Sequence, residues 1–185
     1  MTSDPTGENR LDVIWAPWRM AYILSDIKPQ PEPVPPEAFL PGADRDCFLC
    51  QAAVCDESSF RDRLILRRSE RILTVLNRFP YNNGHLLVTP RRHIARLDQL
   101  TAEEGAELLA EITRMTALLE KHLNANGFNV GLNLGRCAGA GLPGHLHWHI
   151  VPRWNGDTNF ITTIGSTKAI PQSMEALVDL LGGEE

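Results

Sequence analysis

Long apolar runs are missing from this 185-residue chain, and so is an excess of basic residues. No stretch approaches the roughly 20 consecutive apolar residues that a membrane-spanning helix needs, so we expect no membrane insertion. The chain has 18 lysines and arginines against 23 aspartates and glutamates, which gives a net charge of -5. This balance argues against broad electrostatic binding to nucleic acid or to an anionic membrane, but it leaves room for a local basic pocket.

Cysteine is also scarce, and its distribution does not suggest secretion. Four cysteines could form two disulfides, but Cys47 and Cys50 make a C-x-x-C motif whereas Cys55 and Cys137 are scattered. The N-terminus is polar and acidic, unlike a signal peptide. We therefore expect reduced thiols and a cytoplasmic location.

The chain divides into an N-terminal arm, residues 1–42, and a domain, residues 43–185. The arm carries Trp15 and Trp18 and then five prolines within residues 28–37, a composition typical of an extended, polyproline-like connector. Two neighbouring tryptophans are costly to leave in water, so we expect them to pack on the domain or on a second subunit. The remaining length is sufficient for one hydrophobic core.

Hydrophobic periodicity predicts an α+β fold, in which an antiparallel sheet accompanies one long helix and a C-terminal helix. A capping box formed by Thr101 and Glu104 opens the long helix, which should run to about Asn126 and stop at Gly127. The final helix is expected over 170–181. Strands are expected at Leu64–Arg67, Ile72–Asn77, His85–Pro90, Phe128–Leu134, His145–Arg153 and, as a short one, Phe160–Ile164.

Three of the six histidines lie in one alternating stretch, His145-Leu146-His147-Trp148-His149. In a strand, alternate side chains point to the same face, so the three imidazoles should share a face while Leu146 and Trp148 pack on the core. A neutral imidazole is a good nucleophile toward phosphorus, and a second imidazole can give a proton to the leaving oxygen. The alternative is a chance cluster on a solvated strand.

A glycine-rich loop, residues 135–144, directly precedes these histidines. Glycines such as Gly139 and Gly141 let the backbone approach a ligand closely, and their N–H groups could cradle phosphate oxygens. Most loops of this composition are simply turns. The position of this loop directly before the histidines nevertheless favours phosphate binding.

The run HLHWHIVPRW resembles the signature of the histidine triad (HIT) superfamily, whose members are nucleotide hydrolases and transferases acting at an α-phosphate. Similarity to the bacterial diadenosine tetraphosphate (Ap4A) phosphorylase branch comes from the motifs WAPWRMAYI, LNRFPYNNGHLLVTPRRH, GFNVGLNLG and PRWNGDTNF. The resemblance covers most of residues 11–182. It implies a HIT-like fold and an enzyme that most simply converts Ap4A and phosphate to ADP and ATP.

The resemblance also implies roles for individual residues. His147 would be the nucleophile that forms a covalent nucleotidyl intermediate, and His149 would contact the phosphate and help the leaving group. Asn77 matches a position that holds ribose hydroxyls; the alternative is that it only starts a turn. The implied nucleotide-binding set is Asn77, His85, Gly139, Gly141, Leu142 and His149. Many HIT hydrolases carry a glutamine before the triad, where this chain has Gly141-Leu142-Pro143-Gly144, so backbone amides would have to replace that side chain.

A metal site is the second candidate. Cys47-x-x-Cys50 is a common half of a zinc site, and His93 and His145 are candidates for the two missing ligands. The galactose-1-phosphate uridylyltransferase branch and several bacterial HIT proteins look similar at these four positions. This resemblance implies a structural zinc ion. Two reduced buried cysteines without metal, or a redox pair, are the alternatives.

Other functions for the same histidines stay open at this point. They are a HIT-type hydrolase of dinucleoside polyphosphates or nucleoside phosphoramidates, a uridylyltransferase-like transferase, and a nucleotide-binding module without turnover. The presence of both His147 and His149 favours an enzyme.

The expected partners are a nucleotide or dinucleoside polyphosphate, phosphate, and a second copy of the chain, because HIT proteins are typically homodimers. Candidates for holding distal phosphates are the basic residues Arg91, Arg92, Arg136, Arg153 and Lys168.

Overall fold

The computed structural model describes residues 33–158 and 170–182. Five described strands form one antiparallel sheet with the spatial order β1-β2-β3-β5-β4. The strands are β1 (Ile65–Arg68), β2 (Ile72–Leu76), β3 (Leu86–Pro90), β4 (Gly127–Leu132) and β5 (Trp148–Arg153). The α-helices of the described part are α1 (Phe48–Ala52), α2 (Ala102–Leu123) and α3 (Met174–Leu181). Short 3-10 turns lie at Pro36–Ala38, Glu57–Ser59, Leu97–Gln99 and Arg136–Ala138. The predicted α+β class is confirmed.

Apolar side chains cover both faces of the sheet in two clusters. On one face, α2 and α3 pack against Leu86, Val88 and Ile150. On the other face, the segment that begins at Cys47 packs against Leu73 and Leu87. Strands β2 and β3 are consequently buried along their whole length. Burial of each large apolar side chain stabilises the fold by about 1.5–3 kcal/mol.

The long helix α2 begins as predicted but ends earlier. The Thr101 hydroxyl accepts a hydrogen bond from the Glu104 N–H at 3.2 Å, and the Glu104 carboxylate accepts one from the Thr101 N–H at 2.9 Å. Asn124 follows the helix with φ at 51°, in the left-handed region that asparagine tolerates best among non-glycine residues. Gly127 is therefore not the stop that the sequence indicated; it is the first residue of β4.

The hairpin of β2 and β3 places His85 at the end of its turn, directly before β3. Its register pairs Ile72 with Pro90 and Leu76 with Leu86. The turn requires Gly84, whose φ is 68° and whose missing Cβ would lie 2.6 Å from a methyl group of Leu123.

Other predicted boundaries move, and some lie outside the described residues. Strand β5 starts at Trp148, so the ladder contains His149 but not His145 or His147. Helix α3 starts at Met174 rather than at Ile170, because the Ser173 hydroxyl caps it by accepting from the Ala176 N–H. The arm tryptophans and the predicted strand Phe160–Ile164 lie outside the described residues, and the arm–domain boundary stays a prediction. The described helices are all too short or too polar to cross a membrane.

Candidate catalytic and metal sites

Two cysteines and two histidines form a compact cluster on the face of the sheet opposite α2. The Cys47 Sγ lies 3.3 Å from the His145 Nδ1, and the Cys50 Sγ lies 3.2 Å from the His93 Nδ1. The four ligand atoms all lie within 4.8 Å of one another. The structure thus brings together the four residues that the resemblance implied, and their cluster could hold one metal ion.

The orientation of His145 suits a metal ligand. Its Nε2–H donates a hydrogen bond to the Pro90 carbonyl at 2.9 Å, which leaves the Nδ1 lone pair facing the two sulfur atoms. Hydrogen bonding of the distal nitrogen to a carbonyl is the usual way in which proteins fix the ring of a ligating histidine. The His145 side chain is buried, so bulk water does not compete for its ring nitrogens.

The thiols of the cluster are unsuited to carry charge unless a cation is present. Burial, with a smaller contribution from the neighbouring Cys47, raises the pKa of the Cys50 thiol to about 12. A bound metal would supply the positive charge that stabilises both thiolates, and its binding would release their protons. The donor set of two sulfurs and two imidazole nitrogens therefore fits a soft or borderline divalent cation.

His147 has the tautomer that a nucleophile needs. Its Nδ1–H donates a hydrogen bond to the backbone carbonyl of His145 at 2.7 Å. The proton is therefore held on Nδ1, and the lone pair lies on Nε2. The ring lies edge-on to His149, with 5.1 Å between the ring centroids.

His149 has the complementary tautomer, which follows from a chain of three hydrogen bonds. A backbone N–H can only donate, so the His85 Nδ1 accepts the bond from the Tyr81 N–H at 3.1 Å. The proton of His85 then lies on Nε2, which donates to the His149 Nδ1 at 2.9 Å. Neutral His149 consequently carries its proton on Nε2, a buried atom with no partner among the described residues. A lone pair on His147 and a proton on His149 thus lie on adjacent rings.

Burial keeps the rings of His85 and His149 neutral. Burial, with smaller contributions from the neighbouring His149 and His147, lowers the pKa of His85 to about 3. Burial also lowers the pKa of His149, with a smaller contribution from His147. The tautomers assigned to His85 and His149 therefore belong to the uncharged forms present at neutral pH.

We expect the resistance of the fold to acid to depend on His85. Its folded pKa of about 3 lies below the ordinary value of 6.5, so between these pH values the unfolded chain binds a proton that the folded chain does not. The contribution of His85 to stability is fully present above pH 6.5 and is lost as the pH falls toward 3. Replacing His85 with glutamine should flatten the dependence of the unfolding free energy on pH by up to about 1.4 kcal/mol per pH unit.

This expectation is checked by urea denaturation of the wild type and His85→Gln between pH 4 and 7. The matched control is His122→Gln, which changes the histidine on α2. An equally steep curve for wild type and His85→Gln would contradict the assignment.

Asn77 lies beside His85, but its side-chain amide is engaged in the turn. The Asn77 Oδ1 accepts a hydrogen bond from the Phe79 N–H at 3.0 Å, and its Nδ2 donates to the His85 Nδ1 at 3.2 Å. The turn interpretation of this asparagine therefore has direct geometric support. Contact with ribose, which would use the remaining lone pair or proton of the amide, stays a prediction.

The glycine-rich loop offers fewer free amides than its composition indicates. Gly135 and Gly139 have φ values of 80° and 87° and enclose the 3-10 turn. The Gly139 N–H donates to the Arg136 carbonyl at 3.0 Å, so it is already engaged. The N–H groups of Gly141 and Leu142 have no partner in the described part of the chain, and these two are available to an anion. The Leu142 carbonyl accepts from the His145 N–H, which links the loop to the metal cluster.

Tyr81 is a site residue that sequence reasoning missed. Its backbone N–H sets the tautomer of His85, and its ring stacks on His149 with 5.7 Å between the centroids and 24° between the planes. The side chain is nevertheless 58% exposed. The turn motif FPYNNG gave the position of this residue, but no pattern in the sequence indicates which backbone amide meets a histidine.

Most of the basic residues considered for distal phosphates are engaged elsewhere. Arg91 donates to the carbonyls of Ala53, Ser69 and Glu70, Arg92 pairs with Glu104, and Arg153 pairs with Asp157. Lys168 lies outside the described residues. Within the described part of the chain, Arg136 is the member of this group that has no ion pair or hydrogen bond from its side chain. Arg136 therefore remains the best candidate.

The chain is similar in sequence to known proteins. The HIT domain family model matches residues 61–156. Over 181 residues the chain is 38% identical to a protein of Mycobacterium tuberculosis named AP-4-A phosphorylase, covering 95% of this chain and 85% of the relative. It is 33% identical over 93 residues to the bis(5'-nucleosyl)-tetraphosphatase (asymmetrical) of Schizosaccharomyces pombe, which covers 50% of each chain.

A solved structure shares the fold. A zinc-bound histidine triad family protein from Mycobacterium smegmatis superposes with a TM-score of 0.54 at 30% identity. The match covers 64% of this chain and 81% of the solved one. The sheet and helices described above are therefore those of a known architecture.

Proposed function

Because the chain belongs to the histidine triad (HIT) family, we propose that it is a phosphorylase that splits dinucleoside polyphosphates through a nucleotidyl-histidine. The reaction converts Ap4A and phosphate to ADP and ATP. This assignment draws on the relative from M. tuberculosis, which matches over nearly the whole chain and is named for that activity. The substrate-binding groups we propose are Asn77, Gly141 and Leu142, with Gly139 shaping the loop and His85 orienting His149.

In the first step, the His147 Nε2 attacks the α-phosphorus of Ap4A. The bond from phosphorus to the bridging oxygen breaks, and the His149 Nε2–H gives its proton to that oxygen as ATP leaves. The free amides of Gly141 and Leu142 stabilise the charge that grows on the equatorial oxygens. The product on the enzyme is an adenylyl group on His147.

In the second step, a phosphate oxygen attacks the same phosphorus from the side the leaving group vacated. His149 takes the proton of that nucleophile, the bond from phosphorus to His147 breaks, and ADP is released. Each displacement inverts the configuration at phosphorus, so the net result is retention. Inversion in a chiral-phosphorus assay would contradict the covalent intermediate.

One observation carries this proposal, namely the pairing of opposite tautomers on adjacent rings. The His147 Nδ1–H is held by a carbonyl, whereas the His149 Nδ1 is held by the Nε2–H of His85. A nucleophile and a proton donor are therefore set by hydrogen bonds before any substrate arrives. A protein that only binds nucleotides would need neither arrangement.

The activity is tested by incubating the protein with Ap4A in the presence and absence of phosphate. We expect phosphate-dependent formation of ADP and ATP in equal amounts, resolved by anion-exchange chromatography. AMP and ATP formed without phosphate would instead indicate a hydrolase. Tight binding without products would overturn the enzymatic proposal.

We further propose that the metal held by the four-residue cluster is zinc. Two thiolates and two imidazoles make the tetrahedral donor set that zinc prefers, and they leave no open position for substrate. The zinc-bound M. smegmatis relative supports a zinc site in this fold. The chemistry that zinc would supply here is the stabilisation of both thiolates, and through them the attachment of the Cys47–Cys55 segment to the sheet.

A homodimer is the quaternary structure we propose. Strand β4 is at one edge of the described sheet, is six residues long and contains no charged residue. Natural proteins usually protect such an edge with charges, proline or a covering element, so an uncharged edge favours pairing with another strand. Val130 in the middle of β4 is exposed, as is Leu134 just beyond it.

Replacing Val130 with lysine is expected to dissociate this dimer. An unpaired charge buried at the interface should raise the dissociation constant by at least about 100-fold. Light scattering after gel filtration should change from twice to once the chain mass of 20.6 kDa. Leu97→Lys is the matched control, since Leu97 is 47% exposed and Val130 46%. A wild type that elutes at 20.6 kDa would contradict the dimer.

A further inference from the structure

We propose that Tyr81 is a specificity-determining residue of the phosphorylase, because the open face of its ring stacks on the base of the leaving nucleotide. This role rests on the proposed function and extends it to the half of Ap4A that departs as ATP. Its consequence is a preference for substrates with two nucleosides over substrates that carry one nucleoside on the same polyphosphate chain.

One face of the Tyr81 ring is covered by two imidazoles. Its centroid lies 4.7 Å from that of His85 and 5.7 Å from that of His149. The two imidazole centroids are only 5.1 Å apart, and the rings are joined by a hydrogen bond of 2.9 Å. Imidazoles on opposite sides of the tyrosine would be separated by nearly the sum of their distances to it. Both imidazoles therefore lie on the same side of the Tyr81 ring.

The other face of the Tyr81 ring is open. The side chain is 58% exposed although one of its faces is covered. Among the described residues, only the rings of His85 and His149 stack on it. An open aromatic face beside a nucleotide site suits a purine base, because every base has a π-face that can stack. Such a stack raises affinity by about 10- to 100-fold per base.

The turn holds this ring in a fixed position. The Tyr81 N–H donates to the His85 Nδ1 at 3.1 Å, so the backbone of Tyr81 is tied to an imidazole that its own side chain covers. The next residue, Asn82, is buried, and its Nδ2 donates to the Pro152 carbonyl at 2.9 Å. On the other side of Tyr81, the ring of Pro80 restricts the backbone. A platform fixed in this way loses little conformational entropy when a base stacks on it.

The position of His149 decides which of the two bases faces Tyr81. His149 is the proposed proton donor to the bridging oxygen, the atom at which the departing ATP begins. A ring that lies beside His149 therefore faces the departing half of the substrate. The P–O bonds of its three phosphates rotate freely, so the adenosine at their end can fold back onto Tyr81. The adenosine that stays on His147 is held instead through its ribose at Asn77.

The test compares Ap4A with adenosine 5'-tetraphosphate, which has the same four phosphates but no second nucleoside. We expect kcat/KM of the wild type to be about 10- to 100-fold higher for Ap4A. Tyr81→Leu keeps an apolar side chain over the two imidazoles but removes the flat ring, so it should lower this ratio at least about 10-fold, mainly through a higher KM for Ap4A. Tyr81→Phe should keep the ratio within about twofold of the wild type, since it retains the ring. The matched control is Phe79→Ala, which removes another exposed aromatic side chain from the same turn and should keep the wild-type ratio.

A wild type that uses the two substrates equally well would overturn the inference without any variant. A Tyr81→Leu protein that keeps the wild-type ratio would overturn it as well. Calorimetry with AMP, which carries only the base that stays on the enzyme, gives an independent measurement. Tyr81→Leu should bind AMP within about threefold of the wild type, and a larger loss would place the ring against the other base and overturn the assignment.

Failure of the inference and failure of the proposed function give different results. Phosphorolysis of Ap4A by the wild type, with a substrate ratio that does not depend on the Tyr81 ring, would refute the role of Tyr81 alone. Absence of product from the wild type with either substrate would refute the proposed function and, with it, the role that rests on it.

Discussion

His147→Asn is expected to lower the rate of Ap4A phosphorolysis by at least about 10⁴-fold, the loss seen when a covalent nucleophile is removed. The asparagine Nδ2 can still donate to the His145 carbonyl, so the local hydrogen bond that His147 makes now is retained. We therefore expect the melting temperature to stay close to that of the wild type. Affinity for AMP, measured by calorimetry, should change less than about threefold, since binding does not need the nucleophile.

A second substrate separates the roles of the two histidines. The p-nitrophenyl ester of AMP has a leaving group that needs no proton, so loss of the proton donor should matter little for it. His149→Asn is expected to lose about 10²- to 10⁴-fold with Ap4A but to recover most of its rate with this ester. His147→Asn should be inactive with both substrates. Equal losses in both variants and with both substrates would show that the two roles have been assigned wrongly.

The sequence was sufficient to predict those elements whose cause is local. The helix α2 follows from its capping box and its apolar spacing, and the β2–β3 hairpin follows from a turn rich in asparagine and glycine. The error at the histidine strand has a remote cause. His145 and His147 alternate as a strand would, yet they lie outside the ladder because Leu146 bonds to Ile94 and to the Thr89 hydroxyl instead.

In the candidate site, too, the sequence predicts the reacting side chains but not the remote or backbone groups that orient them. The alternating histidines identified the reacting groups, because their chemistry is visible in the residue types alone. The partners that give each ring its tautomer are a carbonyl two residues away for His147 and, for His85, the backbone N–H of Tyr81. Neither kind of contact leaves a pattern in side-chain chemistry. In the metal cluster, Cys47 and His145 are 98 positions apart in the sequence. The family resemblance, and not the spacing of the four residues, predicts that they come together.

Cys50→Ser is expected to lower the melting temperature by about 10 °C. A metal present at 1,000 times its dissociation constant stabilises the folded chain by about 4 kcal/mol. In a domain of this size each kcal/mol corresponds to about 2–4 °C. Serine is a poor ligand for zinc, so the variant loses this contribution, while the small change in side-chain volume at a buried position adds little. The measurement is thermal unfolding followed by circular dichroism under reducing conditions, with and without a chelator.

The comparison between variants makes this result specific to the metal. Wild-type protein in chelator should melt near the temperature of Cys50→Ser, and chelator should have no further effect on that variant. The matched control is Cys55→Ser, because Cys55 is buried in the same apolar cluster but its Sγ bonds to the Ala52 carbonyl, outside the four ligands. This control should keep the full response to chelator. A wild type whose melting temperature ignores the chelator would mean that the buried thiols stabilise the fold without a metal, since coordination is the only contribution that a chelator removes.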